Sequence, residues 1–210
     1  MKKEKINDFF QRLEKNNPNP STELNYYDSY TLLIAVVLSA QATDESVNKV
    51  TKNLFLIAKN PKQMIDLGES KLKALVKTIG LFNSKSKNII KLSKILLEIH
   101  NGMVPKTRED LEKLPGVGRK TANVVLNVAF GIPTIAVDTH VFRVSNRTGL
   151  ATGKNPLEVE KKLDKVVPVN FKQQAHNLLI LHGRYICKSR KPNCVSCKVN
   201  DLCYWKNKTI

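Results

Sequence analysis

Apolar residues recur at helical spacing along most of the chain. One stripe contains Phe9, Phe10 and Leu13. A second runs through residues 89–99 and consists of Ile89, Ile90, Leu92, Ile95, Leu96 and Ile99. Residues 32–38 are apolar nearly all round, which predicts a central helix buried on every side. No segment shows a convincing two-residue alternation with hairpin turns, so the pattern predicts an all-α protein.

Helix-breaking residues divide these stripes into short segments. The breaks include Asn60-Pro61, Gly68, Gly80 and Pro115-Gly116. Their spacing suits about ten short helices joined by short loops. A Pro/Asn cluster near residue 18 and a Gly-Ile-Pro run near residue 132 are the best candidate boundaries between domains. We therefore expect a short N-terminal piece, a central block and a C-terminal block.

The net charge of the chain indicates a class of binding partner. Lys and Arg number 35 against 18 Asp and Glu, a net charge of +17. Self-repulsion on this scale favours a polyanionic partner such as nucleic acid, although a Lys-rich genome could also decorate solvated faces. The uncharged run at residues 29–43 is shorter than the roughly 20 residues a membrane span needs. The N-terminus has no apolar stretch behind its charges, so we expect no secretory signal and a cytosolic protein.

A Pro-Gly-Val-Gly turn separates two helical patterns near residue 116. Periodicity stops at Leu114, and an apolar helix restarts through Val124, Val125 and Val128. Glycines permit a tight turn that brings backbone N–H groups close to a ligand, and the positive end of the next helix faces the same point. This favours a phosphate-binding helix-hairpin-helix over a plain corner between helices. The candidate DNA contacts are Gly116, Val117, Gly118, Arg119 and Thr121.

All four cysteines lie in the last two dozen residues, with the spacing C-x6-C-x2-C-x5-C. They are Cys187, Cys194, Cys197 and Cys203. Four thiolates in so short a span can enclose one zinc ion or one iron–sulfur cluster. Only one Cys-x2-Cys knuckle is present, which favours the cluster. Lys188, Arg190 and Lys191 in the first loop form a second candidate phosphate clamp, although exposed cations are usually only solvated.

Two residues are candidates for chemistry. Lys120 lies in the first turn after the hairpin, where we expect the helix dipole, Arg119 and partial burial to disfavour its ammonium form. A neutral amine there could form a Schiff base. Asp138 follows an apolar run and is placed to cap the next helix, where it could face a developing cation. Most capping aspartates only cap, and we interpret His140 as structural.

Five segments together resemble the endonuclease III family, which are bacterial DNA glycosylases and apurinic/apyrimidinic lyases of the helix-hairpin-helix superfamily. They are Leu-Pro-Gly-Val-Gly-Arg-Lys-Thr-Ala at 114–122, Val-Asp-Thr-His-Val at 137–141, Leu-Ser-Ala-Gln-Ala-Thr-Asp at 38–44, Gly-Leu-Phe-Asn-Ser-Lys at 80–85, and the cysteine tail. The likeness covers essentially the whole chain, with no departure at a motif position.

The resemblance implies a six-helix barrel domain over residues 22–132, with the hairpin at about 108–130. Residues 1–21 and 133–210 would form a second helical domain carrying a [4Fe-4S] cluster on the four cysteines. The partner would be double-stranded DNA with damaged pyrimidines or abasic sites, bound along the cleft between the domains with the damaged base flipped out. The protein would act as a monomer in the bacterial cytoplasm, with the nucleoid.

The resemblance also implies a role for individual residues. Lys120 matches the nucleophile and Asp138 the catalytic carboxylate, while Gln41 and Leu81 match the residues that fill the gap left by the extruded base. The implied reaction is bifunctional base excision: removal of an oxidised pyrimidine, then a cut 3′ to the abasic site by β-elimination through a Lys120 Schiff base.

Two alternatives remain open. An adenine-mismatch glycosylase of the same superfamily lacks the lysine and carries an acid on the early buried helix, whereas this chain has Lys120 and no carboxylate in residues 31–43. A non-catalytic DNA-binding module with a structural metal would fit the hairpin and the tail equally well. Only Lys120 and Asp138 argue against that module.

Overall fold

The computed structural model describes residues 1–209, and every regular element within them is a helix. The ten helices of this part of the chain are α1 (Lys3–Asn16), α2 (Ser29–Ser39), α3 (Asp44–Ile57), α4 (Pro61–Val76), α5 (Phe82–His100), α6 (Arg108–Glu112), α7 (Arg119–Phe130), α8 (Thr139–Thr148), α9 (Pro156–Val166) and α10 (Val169–Tyr185). The predicted all-α class is therefore confirmed. No helix in the described residues is long and apolar enough to cross a bilayer.

The chain divides into two compact units. The central unit comprises Glu23–Gly131 and holds α2 to α7. The terminal unit combines Met1–Thr22 with the chain from Ile132 onward, and it holds α1, α8, α9 and α10. Lys120 belongs to the central unit, whereas Asp138 and the four cysteines belong to the terminal unit.

Helix α2 is the buried centre of the central unit. Residues 30–38 are all buried, as the apolar run predicts, and α3, α5 and α7 pack around them. A capping box starts the helix: Asp28 Oδ1 accepts from the Thr31 N–H at 2.8 Å. The buried Tyr30 hydroxyl bonds Ser93 Oγ of α5 at 2.7 Å. These contacts fix α2, whose carboxyl end leads directly into Gln41.

An aromatic cluster anchors α1 to α10 in the terminal unit. Phe9, Phe10 and Leu13 are buried, as the first stripe predicts. Phe10 stacks on Phe171 with ring centroids 5.6 Å apart. Burying a side chain of this kind contributes about 1.5–3 kcal/mol. The N-terminal helix therefore stabilises α10, the helix that leads into the cysteine tail.

Two positions test the sequence interpretation in detail. Gly68, a predicted break, has a non-helical backbone with φ of +78° that interrupts α4 and separates two helical segments, so this prediction is confirmed. Ile99, expected in the buried stripe of α5, is 69% exposed, so that prediction is wrong. The earlier members Ile89, Leu92 and Leu96 are fully buried. A stripe gives the direction in which a helix buries its side chains, but not how far along the helix the burial extends.

Candidate functional site

The segment between α6 and α7 forms a tight hairpin. Leu111, Leu114 and Val117 are buried, and the Val117 N–H donates to the Leu114 carbonyl at 3.0 Å. Gly116 has φ of +82°, and a Cβ there would lie 3.1 Å from Asn88 of α5. The backbone conformation and this close approach both favour glycine. Val117, expected to contact DNA, has its side chain buried and its N–H already bonded, so it holds the hairpin in shape.

The amino end of α7 presents backbone N–H groups toward the hairpin's open side. Its N-cap, Gly118, has no side chain to accept from the first turn of the helix. Gly118 has an ordinary φ of −93°, and a Cβ at this position would meet no atom within 4 Å. Neither strain nor packing requires glycine here, and the absence of a side chain leaves the N–H groups of the first turn open to a ligand. With the positive end of the helix dipole, this arrangement makes an anion site.

Lys120 is the second residue of α7 and its side chain is exposed. The partial burial expected from the sequence is therefore wrong. The Lys120 amine forms no hydrogen bond or ion pair with any residue in the range 1–209. Arg119 is likewise exposed, and Thr121 is half-buried. An exposed amine with no carboxylate partner in this range is accessible to a ligand bound at the amino end of α7.

Asp138 is the N-cap of α8, as the sequence predicts. Its Oδ1 accepts from the Val141 N–H at 2.8 Å, and its side chain is half-buried. Within residues 1–209, its second oxygen has no hydrogen-bond donor. The run before it is held by His176, whose ring Nδ1 donates to the Ala136 carbonyl at 2.8 Å. One carboxylate oxygen is therefore used for capping, and the other is available to a substrate.

His140 has a structural contact in this unit. Its Nδ1 lies 3.1 Å from Nη2 of Arg143, one turn further along α8. A guanidinium can only donate, so this ring nitrogen accepts and cannot act as a general base while the contact lasts. This contact supports the structural interpretation of His140.

Gln41 and Leu81 occupy two turns of the central unit that lie against each other. Gln41 follows the C-cap of α2, and Leu81 is the N-cap of α5. Both are exposed, and both have left-handed backbones, with φ of 56° and 62°. A Cβ on Gly80 would lie 3.5 Å from the Gln41 carbonyl oxygen. The fold thus brings close together two turns that are far apart in the sequence, and each carries an exposed side chain.

The four cysteines of the tail line one cavity in the terminal unit. Their thiols are half-buried and not joined in disulfides, and burial raises the pKa of the Cys197 and Cys203 thiols. Among residues 1–209, no group of three or more His, Cys, Asp or Glu side chains is arranged to hold a single metal ion. Four soft thiol donors that line one cavity are the ligand set of a polynuclear iron–sulfur group.

Three residues that the sequence analysis did not single out complete this cavity. His182 Nε2 lies 3.8 Å from Cys197 Sγ, and burial lowers the pKa of His182 to about 4. Arg147 lies 3.7 Å from Cys187 Sγ, and its guanidinium stacks over Trp205 at 4.1 Å from the ring centroid. A neutral histidine and a cation therefore stand beside the thiols. No local motif marks them, because Arg147 lies 40 residues before Cys187, and His182 and Trp205 lie just outside the run of cysteines.

Arg147 also shapes the loop between the first two cysteines. Its guanidinium donates to the carbonyls of Lys188 and Ser189 at 2.7 and 3.0 Å. Lys191 has φ of +49°, so the chain turns sharply there. The side chains of Lys188, Arg190 and Lys191 are exposed. The loop is thus held through its main chain while its three cations remain available to a phosphate.

Known proteins resemble this chain over nearly its whole length. The profile of the HhH-GPD superfamily base excision DNA repair proteins matches residues 34–169. Endonuclease III of Escherichia coli (strain K12) is 61% identical over 208 residues, 99% of each chain, and that of Haemophilus influenzae is 60% identical over the same shares. A solved structure of a trapped endonuclease III–DNA covalent intermediate matches with a TM-score of 0.92 and 46% identity, covering 97% of this chain and 96% of that one.

Proposed function

Because the chain belongs to the endonuclease III family of HhH-GPD base excision DNA repair proteins, we propose that it removes oxidised pyrimidines from duplex DNA and then cuts the strand through Lys120. Family membership shows the class of reaction: the chain is a DNA glycosylase with apurinic/apyrimidinic lyase activity. The substrate class and the residue roles are what the proposal adds. The observation that carries it is the exposed, unpartnered Lys120 amine beside an anion-binding helix end.

The hairpin would hold a DNA phosphate without reading the sequence. The contacts we assign are the backbone of Gly116 and Gly118, with Arg119 and Thr121 at the start of α7. Backbone N–H groups and a helix dipole bind a phosphate whatever base it carries. The exposed cations of the loop Lys188–Lys191 would bind a second phosphate. These contacts position the duplex, so selection of the lesion must come from later steps.

Base release would follow flipping of the damaged nucleotide. The sugar C1′ is inaccessible within a stacked duplex, and a damaged base leaves the stack at lower cost. Gln41 and Leu81 are exposed and adjacent, as residues that fill the vacated space must be. The free oxygen of Asp138 would stabilise positive charge that develops on the sugar as the glycosidic bond breaks.

Strand cleavage would follow from an amine nucleophile. The Lys120 nitrogen bonds to C1′ as the base leaves with the bonding electrons and takes up a proton. Opening of the sugar ring gives a protonated Schiff base, which acts as an electron sink. A 2′ proton is then lost, the C3′–O bond breaks, and the 3′ phosphate leaves. Water as nucleophile would have stopped at base removal.

We assign a [4Fe-4S] cluster to Cys187, Cys194, Cys197 and Cys203. Neither the glycosylase nor the lyase step moves a net electron, so we assign the cluster a structural role. When bound, it would cross-link the tail and hold the basic loop in place. Arg147 and His182 stand beside two of these thiols and would donate toward their sulfurs. The protein would act as a monomer on nucleoid DNA in the bacterial cytoplasm.

Borohydride trapping on abasic duplex DNA tests this assignment. Reduction of the Schiff base should give a stable protein–DNA adduct, and Lys120→Ala should abolish it. Lys62→Ala removes the same charge from an exposed position on α4 and should trap normally. An adduct that forms equally in the Lys120 variant would place the nucleophile elsewhere. Binding with no adduct and no nick in the unmodified protein would instead support the non-catalytic module.

A further inference from the structure

Two exposed turns of the central unit are held in an unfavourable conformation. Gln41 and Leu81 both have positive φ, and neither is a residue type that tolerates the left-handed region well. Leu81 is also 58% exposed, so its position is not explained by burial. Strained backbone of this kind persists only where the surrounding structure over-determines it.

Lys85 contacts both turns. It lies in the first turn of α5, and its residue is only 5% exposed. Its side-chain Nζ donates to the carbonyls of Leu38 and Ala40 at 2.9 and 2.6 Å. Its main-chain N–H makes the ordinary first helical bond of α5, to the Leu81 carbonyl at 3.0 Å, so its side chain is carried on the turn that begins at Leu81. One residue is therefore bonded to the N-cap of α5 and to the residue immediately before Gln41.

The contact of the Lys85 amine with the carbonyls of Leu38 and Ala40 can clamp the end of α2 to the start of α5. The last carbonyls of a helix lack intrahelical donors and carry the negative end of its dipole, so a cation at the end of α2 satisfies both. The side chain of Lys85 has no carboxylate partner, and burial lowers the pKa of Lys85. A buried cation whose acceptors are only carbonyls is costly to keep. A hydrophobic residue at this depth would cost less if packing were its only role.

We propose that Lys85 is a positioning residue that locks the turns of Gln41 and Leu81 together, so that both side chains enter the DNA stack as one wedge. The two turns lie close together: a Cβ on Gly80 would be in ordinary van der Waals contact, at 3.5 Å, with the Gln41 carbonyl oxygen. The inference rests on the proposed role of Gln41 and Leu81 in filling the gap left by the flipped base. Lys85 itself is buried and would not touch the DNA.

Lys85→Met tests the clamp, because it keeps the length of the side chain and removes the donor. The measurement is affinity for a stable abasic-site analogue, both in a duplex and in the same strand unpaired. Affinity for the duplex should fall by about tenfold or more, the loss expected when charge-assisted hydrogen bonds lose their donor. Affinity for the single strand should be nearly unchanged, because no stack needs filling there. Lys87→Met, an equal loss of charge at an exposed position on α5, should leave the ratio of the two affinities unchanged.

Lys85→Arg keeps the charge and donors and provides a second variant if the methionine variant does not fold. Its larger group must displace the turn, so the duplex-to-single-strand ratio should fall in the same direction by a smaller factor. An unchanged ratio in either folded variant, or equal loss on both substrates, would overturn the positioning role. Failure of the proposed function looks different: the unmodified protein would then form no borohydride adduct on single-stranded abasic DNA.

Discussion

Replacing Asp138 by asparagine separates the charge of this residue from its structural role. In the folded protein Oδ1 accepts the Val141 N–H at 2.8 Å and thereby caps α8. Asparagine caps helices about as well as aspartate. Asp138→Asn should therefore change the free energy of unfolding by less than about 0.5 kcal/mol, because it keeps the cap and removes only the negative charge.

The lost charge sets the size of the effect on base release. A carboxylate about 4 Å from a unit cation interacts by about 4 kcal/mol at an effective dielectric constant of about 20. The half-buried side chain of Asp138 calls for this near-surface value and not for that of a dry interior. At about 1.36 kcal/mol per factor of ten, base release should slow by about 10³-fold.

Single-turnover release of an oxidised pyrimidine from a duplex measures this step, with DNA affinity and thermal unfolding measured in parallel. The matched control is Asn155→Ala, which removes the N-cap of α9 in the same unit. It should cost about 1 kcal/mol of stability and leave base release unchanged. A rate for Asp138→Asn within about tenfold of the unmodified protein would refute the electrostatic role. Loss of DNA affinity in the same proportion as the rate would make Asp138 a helix cap and nothing more.

Three further predictions follow from the phosphate and cluster sites. Gly118→Asp should stabilise the fold through a new N-cap on α7 but weaken DNA binding by at least about tenfold, because the carboxylate competes with the phosphate for the same N–H groups. Ser70→Asp, which adds the same charge on an exposed face of α4, should bind nearly as the unmodified protein does. Non-specific affinity should fall with salt at a log–log slope near −0.9 per phosphate neutralised, and a flat response would contradict the electrostatic contribution. Elemental analysis should find about four iron atoms per chain, and Cys203→Ala should lose them and destabilise the terminal unit, whereas one zinc and no iron would overturn the cluster assignment.

The features that could be predicted from the sequence are those encoded within about ten consecutive residues. The buried centre of α2, the cap at Asp138 and the glycine turn at residue 116 each follow from local pattern and backbone chemistry. The cysteine spacing likewise predicted a shared centre, and the four thiols do line one cavity. The exposure of Ile99 and of Lys120 could not be predicted, because periodicity gives the direction of a side chain but not the extent of the elements that cover it.

The contacts that hold the site residues in place could not be predicted from local pattern. Lys85 bonds carbonyls at positions 38 and 40, and Arg147 bonds carbonyls at 188 and 189, so each contact joins segments distant in sequence. In a chain with 35 Lys and Arg, nothing in the local pattern distinguishes these two from cations on a solvated face. Only the folded chain shows that Lys85 is buried and that Arg147 lies against Trp205.

The division between affinity and selectivity follows from where the charges lie. A net charge of +17 raises affinity for any DNA, damaged or not, because phosphate contacts carry no information about the base. Selection of a lesion must then come from the free-energy cost of flipping the damaged base out of the stack and from the chemistry at the sugar. Removing an exposed cation such as Lys191 should weaken binding to intact and damaged duplex by the same factor. Changes at Gln41, Leu81 or Lys85 should instead alter the ratio between the two, because only the damaged duplex yields a stable gap for the wedge to fill.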